Sequence, residues 1–76
     1  MIDVLKKGFI VMKQYSGFSA QLLYSTGTDQ FILKVESPNN KITDTMVQRA
    51  LLDFNISLLS DQILLDKKRQ YVVQSN

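Results

Sequence analysis

Residues 41–55, KITDTMVQRALLDFN, decide the fold because they form the most clearly patterned segment of the chain. At the 100° step of an α-helix the apolar side chains fall on one narrow stripe, which consists of Val47, Ala50, Leu51 and Phe54 with Met46 at its margin. This spacing predicts an amphipathic helix over residues 44–54. Three turns are not stable alone in water, so the helix needs an apolar surface to lie on.

Both ends of the predicted helix carry suitable capping residues. Thr43, Asp44 and Thr45 are all candidates to accept a hydrogen bond from the first unpaired N–H groups. Thr45 and Gln48 have the spacing of a capping box. Asn55 is a candidate to end the helix in the left-handed conformation.

Predicted strands lie on both sides of this helix in the sequence. They cover residues 9–15, 20–25 and 30–36 before it, and residues 63–65 and 71–73 after it. Gly27, in the turn 26–29, is free to take a positive φ, which makes the second and third strands a hairpin. Phe31, Leu33 and Val35 alternate with polar residues and form the expected surface for the helix. The sequence therefore predicts an α+β fold in the order β-β-β-α-β-β, an antiparallel sheet of about three to five short strands packed on one face by a single main helix.

Two segments are ambiguous. Residues 2–7 are either a short helix or an extended lead-in. The hairpin that we prefer over residues 57–73 competes with a second helix over residues 57–69, because the turn between its strands lacks glycine. The length of 76 residues predicts one domain over residues 1–76.

The junction between the third strand and the helix resembles a known family. The pattern consists of Val35, Pro38, Ile42, Thr43, Asp44, Val47, Ala50 and Leu51. It is similar to the strand–loop–helix pattern of a small bacterial domain family with no assigned function. The resemblance covers residues 20–73 and implies a hairpin before the pattern and a short strand after it. It implies no activity.

The composition disfavours most enzyme chemistry. The chain has no histidine and no cysteine, so it lacks the usual proton shuttle, thiolate ligands and the histidine of catalytic triads. The seven carboxylates are scattered and have no calcium-loop spacing. We therefore expect a non-enzymatic, cytoplasmic protein with no metal, no cofactor, no small-molecule substrate and no membrane association.

One basic cluster supports an alternative function. Lys67, Lys68 and Arg69 would contact phosphates, and Tyr71 would stack on an unpaired base, if the chain were a nucleic-acid-binding module. The simpler interpretation is a solvated turn whose charges protect a sheet edge from aggregation. We favour the simpler interpretation, because a net charge of +2 is small for a dedicated nucleic-acid binder.

The leading hypothesis rests on surplus apolar residues. Ile10, Met12 and Ile32 have the strand parity of the sheet face that the helix does not cover, and Leu52 lies on the outer face of the helix. We expect this surface to bind another protein or a second copy of the chain as a homodimer, so that the protein is a small interaction module, such as a regulator or inhibitor of a larger protein or complex. On this hypothesis Ile32→Lys leaves the thermal stability nearly unchanged.

Overall fold

The computed structural model describes residues 2–59 and 69–76. Its elements, in chain order, are α1 (Ile2–Lys6), β1 (Val11–Tyr15), β2 (Phe18–Ser25), β3 (Gln30–Glu36), α2 (Asp44–Phe54), β4 (Ile56–Leu58) and β5 (Gln70–Ser75). The five strands form one antiparallel sheet, which confirms the predicted α+β class.

The order of the strands across the sheet is β1-β2-β3-β5-β4. β3 is therefore central, and β1 and β4 are the two edges within the described residues. The register aligns Leu22, Leu33 and Tyr71 in one row across β2, β3 and β5. Since successive side chains of a strand alternate between faces, this row and its i±2 neighbours define the inner face of the sheet.

Helix α2 has the boundaries that the sequence predicts. Thr43 is the N-cap, and its side chain accepts a hydrogen bond from the backbone N–H of Met46 at 3.3 Å. Thr45 lies inside the first turn, so the capping box predicted from it is not the cap of this helix. Asn55 ends the helix in the left-handed conformation with φ 56° and ψ 50°, and its N–H donates to the carbonyls of Leu51 and Leu52.

The inner core is built where α1 and α2 cover the inner face of the sheet. It consists of Leu5, Ala20, Leu22, Leu33, Val35, Val47, Ala50, Leu51, Phe54, Ile56 and Val73. The four predicted helix residues are all buried in it. Leu5 brings α1 onto the same face, which resolves the ambiguity of residues 2–7 in favour of a helix. Burial of each large apolar side chain stabilises the fold by roughly 1.5–3 kcal/mol relative to exposure.

The strand boundaries differ from the prediction at the amino-terminal end. β1 begins at Val11 rather than at residue 9, and β2 begins at Phe18 rather than at residue 20. In the turn between β2 and β3, Asp29 takes the positive φ of 54° that was predicted for Gly27. Aspartate tolerates the left-handed region because its short side chain bonds locally to the backbone.

The carboxy-terminal strands differ more. β4 follows α2 directly and was not predicted, whereas β5 contains the predicted strand 71–73. β4 and β5 pair antiparallel, and residues 57–58 are strand, so no helix begins at residue 57. The predicted strand 63–65 lies outside the described residues.

Candidate functional site

Exposed apolar side chains occur at the β1 edge of the sheet and in the segment that leads into it. Within residues 2–59 and 69–76, β1 pairs with β2 alone. Phe9, Ile10 and Met12 are 61 %, 56 % and 50 % exposed, and Val4 of α1 is also exposed. We call these four residues the amino-terminal edge. Large apolar residues that are this exposed are candidates for an interface.

The end of α1 places these residues at the edge. Gly8 has φ 97°, which L-residues rarely adopt, and its N–H donates to the carbonyl of Leu5. The N–H of Phe9 then donates to the carbonyl of Val4 at 3.3 Å. These bonds end the helix and bring Phe9 beside Val4, immediately before β1 begins. Leu5 anchors the whole turn because it is buried in the inner core.

The hydrogen-bond phase of β1 leaves part of its backbone directed away from β2. Tyr15 and Phe18 face each other across the two-residue turn at 16–17, so they form a hydrogen-bonded pair. Hydrogen-bonded and non-hydrogen-bonded pairs alternate along an antiparallel ladder. Every second residue back from Tyr15, which means Lys13 and Val11, therefore also directs its backbone N–H and C=O groups toward β2. The N–H and C=O groups of Met12 and Gln14 therefore point away from β2, to the side of β1 where none of the described strands pairs.

The one charged side chain of β1 is drawn away from this edge. Lys13 lies on the inner face, where its Nζ donates to the backbone carbonyl of Asp53 at 3.3 Å and lies 5.4 Å from the centroid of the Phe54 ring. Natural edge strands often carry lysines that prevent pairing with other chains. Here the lysine is occupied by α2, and the edge keeps its apolar character.

A polar cluster joins β1 to the last turn of α2. Tyr15 donates a hydrogen bond to Asp53 Oδ2 at 2.8 Å, and Arg49 pairs with the same oxygen at 3.2 Å. The Arg49 guanidinium also lies 5.6 Å from the centroid of the Tyr15 ring, which stacks on Phe18 with centroids 4.4 Å apart. These contacts hold the β1–β2 hairpin against the helix.

This cluster shifts two pKa values in opposite directions. Burial, followed by the hydrogen bond to Asp53, raises the pKa of Tyr15 to about 12. The hydrogen bond from Tyr15 and the neighbouring Arg49 lower the pKa of Asp53. The Tyr15 contribution to stability is therefore present below the unfolded pKa of about 10 and is lost as pH rises toward 12. The Asp53 contribution is present above its unfolded pKa and is lost as pH falls through its lowered folded value.

The structure brings together only two of the four predicted interface residues. Ile10 and Met12 are exposed at the amino-terminal edge. Leu52 is 77 % exposed, but it lines a groove of about 360 Å³ with Ile56 and Leu58 at the opposite, β4 edge. Three strands separate the two places in the sheet, so Leu52 belongs to a different surface.

The expectation that Ile32 is exposed is wrong. Ile32 is 4 % exposed although it has the parity of the outer face. It lies in the central strand β3, where the register places Leu23 of β2 on one side and the buried Val72 of β5 on the other. Side chains of a central strand have neighbours on both sides, whereas Met12 on the edge strand has them on one side. The predicted patch therefore loses its central residue.

The basic cluster lies mostly outside the described residues. Lys67 and Lys68 belong to residues 60–68, so their predicted role stays untested. Arg69 is exposed, with a left-handed φ of 57°, and its carbonyl accepts from the N–H of Val35. Tyr71 is half-buried and packs against the inner core, which disfavours its stacking on a base.

Sequence reasoning missed Phe9 and Val4 as surface residues. The predicted strand over residues 9–15 implies that Phe9 lies opposite Ile10 and Met12, on the inner face, because it extends strand alternation back to residue 9. The signal that could have corrected this is Gly8, since a glycine with positive φ after a helical segment ends the helix and delays the strand. Val4 carried no comparable signal, because residues 2–7 had no clear periodicity.

Comparison of the chain with protein-family models, with curated proteins and with solved structures gave no match. The resemblance to a small bacterial domain family therefore stays a prediction. Neither of the helices in the described part of the chain has the length and apolar character needed to cross a membrane.

Proposed function

We propose that the protein is a small non-enzymatic interaction module that binds another polypeptide at its amino-terminal edge. The observation that supports this function is the coincidence of two features on β1. Its backbone groups at Met12 and Gln14 point to a sheet edge that has no paired strand within the described part of the chain, and Ile10 and Met12 are large, apolar and exposed beside them.

Both features favour the addition of a strand. Main-chain hydrogen bonds to the edge would give affinity, and contacts with the alternating side chains would give specificity. Burial of the apolar side chains would contribute about 25 cal/mol per Å² of area removed from water, less the entropy of association. Such a module would act as a regulator or inhibitor of a larger protein or complex by pairing β1 with a strand of that protein.

An affinity capture experiment tests this function. Immobilised wild-type protein is incubated with a cell extract to which a differently tagged copy of the same chain has been added, and the retained polypeptides are quantified by mass spectrometry. The edge variant carries Ile10→Lys and Met12→Lys. The matched control carries Leu52→Lys and Leu59→Lys, which are also exposed apolar positions but lie in α2 and directly after β4.

We expect wild type and control to retain the same polypeptides, and the edge variant to lose them. Circular dichroism shows beforehand that both variants are folded. Equal retention by the edge variant, or loss with the control alone, would exclude the amino-terminal edge as the binding surface. If neither wild type nor control retains any polypeptide, including the tagged copy, the proposed function is wrong.

A further inference from the structure

We infer that a groove beside the turn between β1 and β2 binds an arginine side chain of a partner polypeptide. The groove has a volume of about 360 Å³. Its lining comes from the end of β1, the start of β2 and the end of β3, and includes Gln14, Tyr15, Phe18, Ser19, Glu36 and Pro38. We call it the turn groove. The inference goes beyond the proposed function, because this site does not depend on the addition of a strand to β1.

The register of the sheet gives the turn groove its shape. Gln14, Ser19 and Glu36 lie in one row across β1, β2 and β3. Neighbouring strands are ~4.8 Å apart, so the Cα atoms of Gln14 and Glu36 are about 10 Å apart, with Ser19 between them. Serine has the shortest side chain of the three, which leaves a depression between two longer ones. Phe18 and Pro38 add two rings to the lining.

Glu36 gives the turn groove its charge. It is exposed, and it is the only charged residue among the described residues of the lining. Within residues 2–59 and 69–76, its carboxylate makes no hydrogen bond and no ion pair. The groove therefore attracts a cation and repels an anion.

Phe18 supplies a ring on which a cation can lie. Its ring stacks on Tyr15 with centroids 4.4 Å apart and planes at 7°, so Tyr15 holds it in one orientation. The Phe18 side chain is only half-buried, and it lines the groove. An aromatic ring attracts cations, and a planar guanidinium stacks on the ring better than a compact ammonium does.

The protein already holds one guanidinium by the same two kinds of contact. Arg49 lies 5.6 Å from the centroid of the Tyr15 ring and pairs with Asp53 Oδ2 at 3.2 Å. The turn groove offers a second ring and a second carboxylate, with Phe18 in place of Tyr15 and Glu36 in place of Asp53. This combination favours arginine over lysine, because a guanidinium stacks on a ring and forms two parallel hydrogen bonds to a carboxylate.

The charge of the groove favours an arginine within a polypeptide over the free amino acid. Free arginine carries an α-carboxylate, which Glu36 would repel and which no cation among the described lining residues would neutralise. The backbone of a polypeptide is neutral, and its N–H and C=O groups can bond to the amide of Gln14 and the hydroxyl of Ser19. The aliphatic part of the arginine side chain would pack on the ring of Pro38.

An NMR titration of the isotope-labelled protein tests this inference. The ligand is the blocked tripeptide acetyl-Gly-Arg-Gly-amide. Lysine in place of arginine keeps the charge without the planar group, and citrulline keeps the shape without the charge. One exposed ion pair and one ring contact support only roughly millimolar binding. We expect saturable shifts centred on Ser19 and Glu36, about threefold or more weaker binding of the lysine peptide, and no saturable shift with citrulline.

Two matched variants test the carboxylate. Glu36→Gln keeps the shape of the side chain and should weaken binding of the arginine peptide by about fivefold or more, because it removes the charge. Asp29→Asn also removes an exposed carboxylate, but it lies in the turn between β2 and β3, at the opposite end of β2. Asparagine tolerates the φ of 54° at this position, so the control should fold and bind as wild type does. Equal weakening by both variants would show that only the net charge matters and would overturn the site.

Phe18→Leu tests the ring. This variant should bind the arginine and lysine peptides equally, since only the attraction of Glu36 remains. Circular dichroism shows beforehand whether the variant is folded; if it is not, the preference of the wild type for arginine over lysine decides. No saturable shift with the arginine peptide, or equal affinity of the wild type for both peptides, overturns the inference. Neither result bears on the proposed function, because the edge variant with Ile10→Lys and Met12→Lys leaves the turn groove unchanged.

Discussion

Truncation of Phe54 should strongly destabilise the protein. Phe54 is 3 % exposed in the last turn of α2 and belongs to the inner core. Phe54→Ala removes most of a ring from a packed site, which costs about 3–5 kcal/mol. Loss of the Lys13 contact to the ring adds ~0.5–1 kcal/mol. The total stability expected for a chain of 76 residues is only roughly 4–11 kcal/mol.

Thermal and urea denaturation, followed by circular dichroism, measure this effect. In a domain of this size each kcal/mol shifts the midpoint by ~4–8 °C, so the combined loss should lower the Tm of Phe54→Ala by roughly 14–48 °C. Leu52→Ala is the control two residues away on the same helix. Its side chain is 77 % exposed, so the expected change is within about 0.5 kcal/mol. Equal losses for the two variants, or a larger loss for Leu52→Ala, would refute the assignment of the helix face.

Three further measurements test the fold. Ile32→Lys places a charge in the buried centre of the sheet, so it should unfold the protein or lower Tm far more than Met12→Lys does. Met12 is the control because it lies on the same face but is half exposed. Similar midpoints for the two variants would contradict the burial of Ile32. Thr43→Ala should lower the free energy of unfolding in urea by about 1 kcal/mol, and Thr45→Ala by clearly less, because Thr43 is the N-cap. The reverse order would identify Thr45 as the cap. The wild-type protein should lose stability between pH 10 and pH 12, because Tyr15 has a raised pKa in the folded state and deprotonates over this interval. Tyr15→Phe should lose less stability over the same interval. Equal losses for the two proteins would show that folding does not raise the pKa of Tyr15.

The helix was predictable in detail because its determinants are local. The four buried residues of α2 follow from spacing alone, and Thr43 and Asn55 are caps by virtue of their own side chains. β3 was predicted with its boundaries because alternation within seven residues marks a strand that covers a core.

The candidate site was only half predictable. Ile10 and Met12 were named from strand parity, and both lie exposed at the β1 edge. Phe9 joined them because Gly8 ends α1 and delays the strand, which depends on how Leu5 is anchored in the core. Leu52 was recognised as exposed, but the sequence did not show that α2 carries it to the opposite edge.

The sequence by itself determined the secondary structure around residues 30–55, the α+β class and the absence of histidine and cysteine chemistry. The tertiary structure decided which residues of the outer face are exposed. Ile32 and Met12 have the same parity, yet one is buried and the other is not, because β3 is central and β1 is an edge. That difference arises from pairing between β3 and β5, which are more than thirty residues apart in the chain. Local pattern carries no information about strand order, since order is set by contacts that form only when the chain has folded.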